Sequence, residues 1–217
     1  MTVAVFDLDE TLTGRDSFRR FLTGYLRRHP GRVWRLLLLV PALPLAASLP
    51  RAGQNRRTRI KQAMLKAFLG GTRRAEVAAW SAEYAAFVAD TDLRPGCLEA
   101  LRGHQANGDR VVLATASFDV YVEPLARRLG IDEVVCSRVA WDAAGRLAGI
   151  DGGNCRDHEK LRRVRALLGD DGAGVIAYSD SHADLPLLAW AETGIAVSPT
   201  PQLASRVGEL GLTVRDW

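Results

Sequence analysis

The first apolar run of the chain, Thr2-Val-Ala-Val-Phe6, breaks off at Asp7-Leu-Asp-Glu-Thr11. A short β-branched and aromatic run that ends in charge reads as a buried strand. Residues 110–114, 174–178 and 194–197 repeat the pattern, and helical patterns fall at 96–107, 120–129, 159–168 and 185–191. Strands alternating with helices predict an α/β fold, a parallel sheet with helices on both faces. Residues 134–140 and 146–150, joined by Asp142-Ala-Ala-Gly145, read as a β-hairpin beside that sheet. The 217 residues suffice for one such core plus a small insert, and a hydrophobic content of 47% excludes disorder as the default.

Residues 13–91 break the alternation. They carry helical patterns and no convincing strand, so they read as an all-α insertion between the first two core strands. The insertion is also electrically distinct. Residues 13–94 hold 16 Lys and Arg against 5 Asp and Glu, a balance of +11, whereas the whole chain stands at +4. Such a segment either faces an anionic partner or is simply a solvated Arg-rich surface. Within it, residues 36–50 contain no charge but are too short and too interrupted, by Pro41 and Pro44, to span a bilayer. Arg27, Arg28, Arg32 and Arg35 precede this run, and Arg51, Arg56, Arg57, Arg59 and Lys61 follow it. Apolar residues with cationic flanks suit an anionic membrane surface, and equally an ordinary helix packed on the core. Nucleic acid is not expected, because no aromatic stacking platform accompanies the charges.

Cys97, Cys136 and Cys155 form no CxxC pair, which argues against zinc and disulfides and for a reducing, cytoplasmic setting. Met1 to Phe6 leads straight into charged residues, so no signal peptide is expected.

The chemistry gathers where strands end. In open α/β sheets, ligands bind at the carboxyl ends of the strands. Asp7 and Asp9 arrive there two residues apart, so one carboxylate can attack phosphorus while the other serves as general acid and base. The bland alternative is a pair of helix caps. The second strand ends at Thr115, followed by Ala116-Ser117. A hydroxyl with free backbone N–H groups behind it can hold a phosphate oxygen, although Ser117 can also cap the next helix. Lys160 opens a helix, where most lysines are solvated. Facing the aspartates, it can neutralise them and a transferring phosphoryl group. Asp180 and Asp184 follow the third strand as hard oxygen donors suited to Mg²⁺; Asp184 is also placed to cap the helix at 185.

Taken in order, these elements resemble the haloacid dehalogenase superfamily. Asp7 to Thr11 matches its DxDx(T/V) motif, Thr115 its Ser/Thr, Lys160 its Lys and Asp180 with Asp184 its acidic pair. The resemblance implies a Rossmann-like core formed by residues 1–12 and 92–217, with an all-α cap, 13–91, inserted after the first strand. It also implies an aspartyl-phosphate on Asp7, and Mg²⁺ held by Asp7, the Asp9 carbonyl and Asp180 with Asp184 in support. Lys160, Thr115 and Ala116 would hold the phosphoryl group. A helical cap in this place is similar to the phosphoserine phosphatase-like branch, in which an acidic cap residue, here Asp16, meets the substrate. Within that branch the chain looks like the phosphatidylglycerophosphatase C group. Shared features are Asp16, Phe18, the Pro-broken apolar segment and Asp157-His-Glu-Lys160. Glu10 departs from the commoner Gly and adds a charge near the site.

The expectation is a Mg²⁺-dependent phosphomonoester hydrolase acting on a lipid-linked phosphate such as phosphatidylglycerophosphate, peripheral on the inner face of the cell membrane. A soluble substrate such as phosphoserine is the alternative. A catalytically dead membrane-binding protein is a third class, opposed by the intact Asp7, Asp9, Lys160, Asp180 and Asp184.

Overall fold

The computed structural model describes residues 2–41, 44 and 56–217. Seven strands form one sheet in the order β4-β3-β2-β1-β5-β6-β7. These are β1 (Val3–Phe6), β2 (Arg110–Phe118), β3 (Glu133–Trp141), β4 (Leu147–Asp151), β5 (Val175–Ser179), β6 (Thr193–Val197) and β7 (Thr213–Arg215). All neighbouring pairs are parallel except β3 with β4. The expected hairpin is therefore present, but it continues the sheet, because β3 also pairs with β2. β2 runs on past Thr115 to Phe118, where a register shift brings Phe118 opposite Ser137. The edge strand β7 has no counterpart in the sequence reading: three exposed residues carry no alternation to detect.

β1 is the hinge of the topology. Val3 to Phe6 pair with Arg110 to Leu113 on one side and with Val175 to Tyr178 on the other. Its side chains alternate between the two faces. Ala4 and Phe6 join one buried cluster with Leu113 and Tyr178, and Val5 joins the opposite cluster with Val112, Ala114 and Ala177. Burial on both faces explains why the run is continuously apolar.

Between β1 and β2 lie α1 (Ser17–Arg28), a 3-10 helix (Pro30–Leu38), α2 (Arg56–Leu69), α3 (Arg74–Thr91) and α4 (Pro95–Ala106). The chain leaves and re-enters the sheet side by side, through an antiparallel bridge between Thr13 and Leu93. On α1, Phe18, Phe21, Leu22 and Tyr25 form a buried stripe at helical spacing. They meet α5 (Asp119–Arg128), which follows β2: the rings of Phe21 and Tyr121 lie 4.5 Å apart, and those of Phe18 and Phe118 5.2 Å. Gly24 permits the close approach of α3, since a Cβ there would stand 2.7 Å from the Trp80 ring. The α-helices that follow β4 are α6 (His158–Leu168), α7 (Leu185–Trp190) and α8 (Pro201–Ala204).

Part of the apolar run 36–50 lies outside the described residues. In the part described, Leu36 and Leu39 pack against the core, while Val33, Trp34, Leu37 and Val40 are 48%, 62%, 70% and 72% exposed. Arg51 is also outside the described residues. Several of the basic residues are locally engaged: Arg28 with Glu83, Arg32 with Glu76, and Arg35 with the Lys66 carbonyl. Lys61 corrects the sequence reading outright. Grouped by sequence with the cations that follow the apolar run, it turns inward, to a cavity at the sheet edge. No helix among the described residues is long and apolar enough to cross a membrane.

Candidate active site

The carboxyl ends of β1, β2 and β5 frame a cavity of ≈ 190 Å³. Asp7, Asp9, Asp16, Thr115, Ala116, Lys160, Asp180 and Asp184, the eight residues singled out from the sequence, all line it.

Asp7 follows β1 directly, and its N–H donates to the Tyr178 carbonyl at 2.9 Å. The chain then turns through a kinked π-helical segment, Leu8–Leu12, in which Glu10 adopts φ +60°. That is the left-handed region which a glycine accepts freely and which costs another residue about 1 kcal/mol. The commoner Gly at this place thus has a backbone reason, and Glu10 holds the conformation at some strain. The turn delivers Thr11 to Asp180. The Thr11 hydroxyl donates to Asp180 Oδ1 at 2.9 Å and accepts the Asp180 N–H at 2.9 Å, tying the loop after β1 to the loop after β5.

Lys160 is buried at the start of α6. Its Nζ donates to Asp7 Oδ1 at 2.8 Å and to Asp184 Oδ2 at 2.7 Å. Burial alone would lower its ammonium, but Asp184 and Asp7 hold it well above the ordinary lysine value. Asp184 Oδ2 also accepts from the Ser179 hydroxyl at 2.7 Å. Asp184 stands at the cap position of α7 but makes no side-chain capping bond, so its carboxylate belongs to the cavity. Burial pushes Asp7 up to about 8: the Lys160 charge pulls it down, while Asp184 and Asp180 push it further up. Burial likewise raises Asp180 to about 6, against the Thr11 hydrogen bond.

Asp9 is held from two sides. Its Oδ1 accepts the Ser17 N–H at 2.6 Å and its Oδ2 accepts the Ser117 hydroxyl at 2.5 Å. Ser117 is therefore no helix cap; Phe118 takes that position for α5. Asp16 does cap α1, accepting the Arg19 N–H at 2.8 Å, and still lines the cavity. Burial raises its carboxyl above the ordinary value. Sequence reasoning missed Lys61 and Arg156, which also line the cavity. Neither stands in a recognisable spacing, and a lysine in a basic helix gives no signal that it points inward.

The donor set fits a hard cation. Asp7 and Asp180 are carboxylates raised first by burial, then Asp7 by the Asp184 and Asp180 charges and Asp180 by Glu10 and Asp184, a charge excess that a bound cation would relieve. Among the described residues, however, no group of three His, Cys, Asp or Glu forms a ready-made metal shell. Two carboxylates, the Asp9 carbonyl and substrate oxygens are the kind of sparse set that Mg²⁺ accepts.

A haloacid dehalogenase-like hydrolase family model matches residues 4–189, a span that begins in β1 and ends in α7. The chain belongs to the haloacid dehalogenase-like hydrolases. Among the curated relatives, protein CicA of Caulobacter vibrioides is 36% identical over 191 residues, covering 88% of this chain and 83% of the relative. Phosphoserine phosphatase SerB1 of Mycobacterium tuberculosis is 31% identical, covering 99% of this chain and 70% of the relative. Among solved structures, a Bordetella pertussis protein of unknown function superposes with a TM-score of 0.80 at 26% identity, over 100% of this chain and 99% of that one. A phospho-aspartyl intermediate analogue of phosphoserine phosphatase gives 0.63 at 15% identity, over 98% and 91% of the two chains. That likeness bears on the fold alone.

Proposed function

We propose that this hydrolase is a Mg²⁺-dependent phosphatase that works through an aspartyl-phosphate on Asp7. The observation that carries the reading is Lys160, buried between Asp7 and Asp184 in a cavity shared with Asp9, Thr115 and Asp180. A relative named as a phosphoserine phosphatase supports the phosphatase class. Residues 13–91 would act as a cap over the cavity.

In this reading Asp7 attacks phosphorus, and the leaving oxygen takes a proton from Asp9. Asp9 then removes a proton from the water that cleaves the acyl-phosphate. Ser17 and Ser117 fix both Asp9 oxygens, so the acid and base meet the substrate in one orientation. Thr115, the backbone after it and Lys160 hold the phosphoryl oxygens. Asp7, the Asp9 carbonyl and Asp180 would hold Mg²⁺, which would neutralise charge on the phosphoryl group. Asp184, already engaged by Lys160 and Ser179, would stay one step back and orient Lys160. Dialysis against chelator is expected to remove turnover of p-nitrophenyl phosphate, and added Mg²⁺ to restore it. Full turnover in excess chelator overturns the metal assignment.

For the substrate we favour a lipid-linked phosphate met at an anionic membrane surface. The supporting observation is the exposed row Val33, Trp34, Leu37 and Val40, set in the basic insertion. Trp34 and Leu37, three apart in the 3-10 helix, share one side of it, and Trp is suited to a membrane interface. The triple variant Trp34→Ser/Leu37→Ser/Val40→Ser is expected to bind phosphatidylglycerol vesicles at least about tenfold more weakly. It is also expected to keep its fold and its turnover of p-nitrophenyl phosphate. Absence of vesicle binding by the unaltered protein at low salt overturns the lipid reading. A soluble phosphomonoester such as phosphoserine then takes its place; the cavity of ≈ 190 Å³, walled by Asp16 and Lys61, favours that second reading.

A further inference from the structure

Lys61 belongs to α2, in the insertion, yet its ammonium reaches the C-terminal part of β2. Nζ donates to the Ala116 carbonyl at 2.6 Å and lies 3.5 Å from Asn154 Oδ1. It sits over two rings, 5.2 Å from the centroids of both Phe18 and Phe118. The Ser137 hydroxyl also donates to the Ala116 carbonyl, at 2.9 Å, and accepts the Cys155 N–H at 2.9 Å. The Ala116 carbonyl thus has two donors, one from the insertion and one from β3.

The peptide unit that carries this carbonyl carries the Ser117 N–H at its other end. That N–H donates to Thr115 Oγ1 at 3.1 Å. A cation on the carbonyl oxygen polarises the peptide and strengthens the bond its N–H makes. With Thr115 Oγ1 occupied as an acceptor, its own proton is left to donate into the cavity, toward a phosphoryl oxygen. The next side chain, Ser117, donates to Asp9 Oδ2 at 2.5 Å. One three-residue stretch therefore bears the phosphate-facing hydroxyl, the Lys61 acceptor and the contact that holds the acid and base.

We infer that Lys61 is a positioning residue: by seating on the Ala116 carbonyl it sets the Thr115 hydroxyl toward the phosphoryl group, so that the insertion, when closed, completes the phosphate site. The inference rests on the phosphatase reading above. Burial lowers the Lys61 ammonium to about 8; Asp9 and Asp16 oppose that shift and Arg156 adds to it. The Asp9 and Asp16 charges favour the charged form of this lysine.

The test uses the full chain with Mg²⁺. Inorganic phosphate binding is measured by calorimetry, and p-nitrophenyl phosphate turnover is measured alongside. Lys61→Met keeps an unbranched side chain against the Phe18 and Phe118 rings and is expected to melt near the unaltered protein. Its phosphate affinity should fall about tenfold, the worth of one charge-assisted hydrogen bond, and Lys61→Arg should recover most of the loss. Lys61→Met and Thr115→Val should also be non-additive on phosphate affinity, because both act through one hydroxyl. A residue that merely tethers the insertion would give additive effects, and that result overturns the inference. So does a folded Lys61→Met protein that binds phosphate like the unaltered one. If the unaltered protein neither binds phosphate nor hydrolyses any phosphomonoester, the phosphatase reading itself has failed and the inference falls with it.

Discussion

Asp7→Asn is expected to lower turnover of p-nitrophenyl phosphate by on the order of 10⁴-fold or more, as loss of a nucleophile does, while the protein stays folded. An amide cannot form the acyl-phosphate. The fold should survive because the cavity is over-supplied with negative charge. Lys160 lies between Asp7 and Asp184, and burial, with the Asp184 and Asp180 charges, pushes Asp7 up to about 8 despite that ammonium. The Asn side chain still offers Lys160 an oxygen, and Asp184 remains 2.7 Å away as its ion-pair partner. In chelator, the melting temperature of Asp7→Asn should therefore equal or exceed that of the unaltered protein. Turnover retained by a folded Asp7→Asn protein would falsify the mechanism. A large drop in its melting temperature would show that the charge excess had been misjudged.

Lys160→Met should also abolish turnover, but with the opposite effect on stability. It leaves Asp7 and Asp184 buried without their shared cation, and breaking a buried pair from one side costs about 3–5 kcal/mol. Denaturant unfolding in chelator at neutral pH is the measurement. Added Mg²⁺ should recover part of the loss, since a second cation at Asp7 and Asp180 offsets some of the missing charge. Two inactive variants of one ion-pair network with opposite effects on stability would separate its electrostatics from general damage to the core. Wild-type-like unfolding of Lys160→Met would remove Lys160 from its assigned place.

These contrasts depend on groups that the sequence made visible for a physical reason. Asp7, Thr115 and Asp180 stand where apolar β runs stop, so the end of the run marks the sheet edge. Lys160 became visible only through its order among those strand ends, as its helix looks like any basic surface helix. The failures have causes too. Ser117 carried two readings, part of a phosphate-holding strand end or a helix cap, and neither reveals its contact, since the strand continues through it and turns its hydroxyl to Asp9. Lys61 was lost among its charged neighbours: one-dimensional charge counting cannot tell a side chain that faces solvent from one that reaches a carbonyl on another element. β7 was lost because an exposed three-residue edge strand is defined by its partner, β6, and hardly at all by its own residues.

The central position of β1 also governs how the chain can be made. Val3–Phe6 are the first residues of the sheet to be synthesised, and they stay without one neighbour until Val175–Ser179 exists. Pairing across so many residues is slow, because the entropy of closing the long loop is spent before the contact rewards it. Until then a short apolar strand presents an open edge, the kind of surface on which nascent chains aggregate. The helices of the insertion can pack locally in the meantime. The strand that carries Asp7 thus gains its second neighbour only after Val175–Ser179 has been made, so the reactive centre cannot be complete until most of the chain exists.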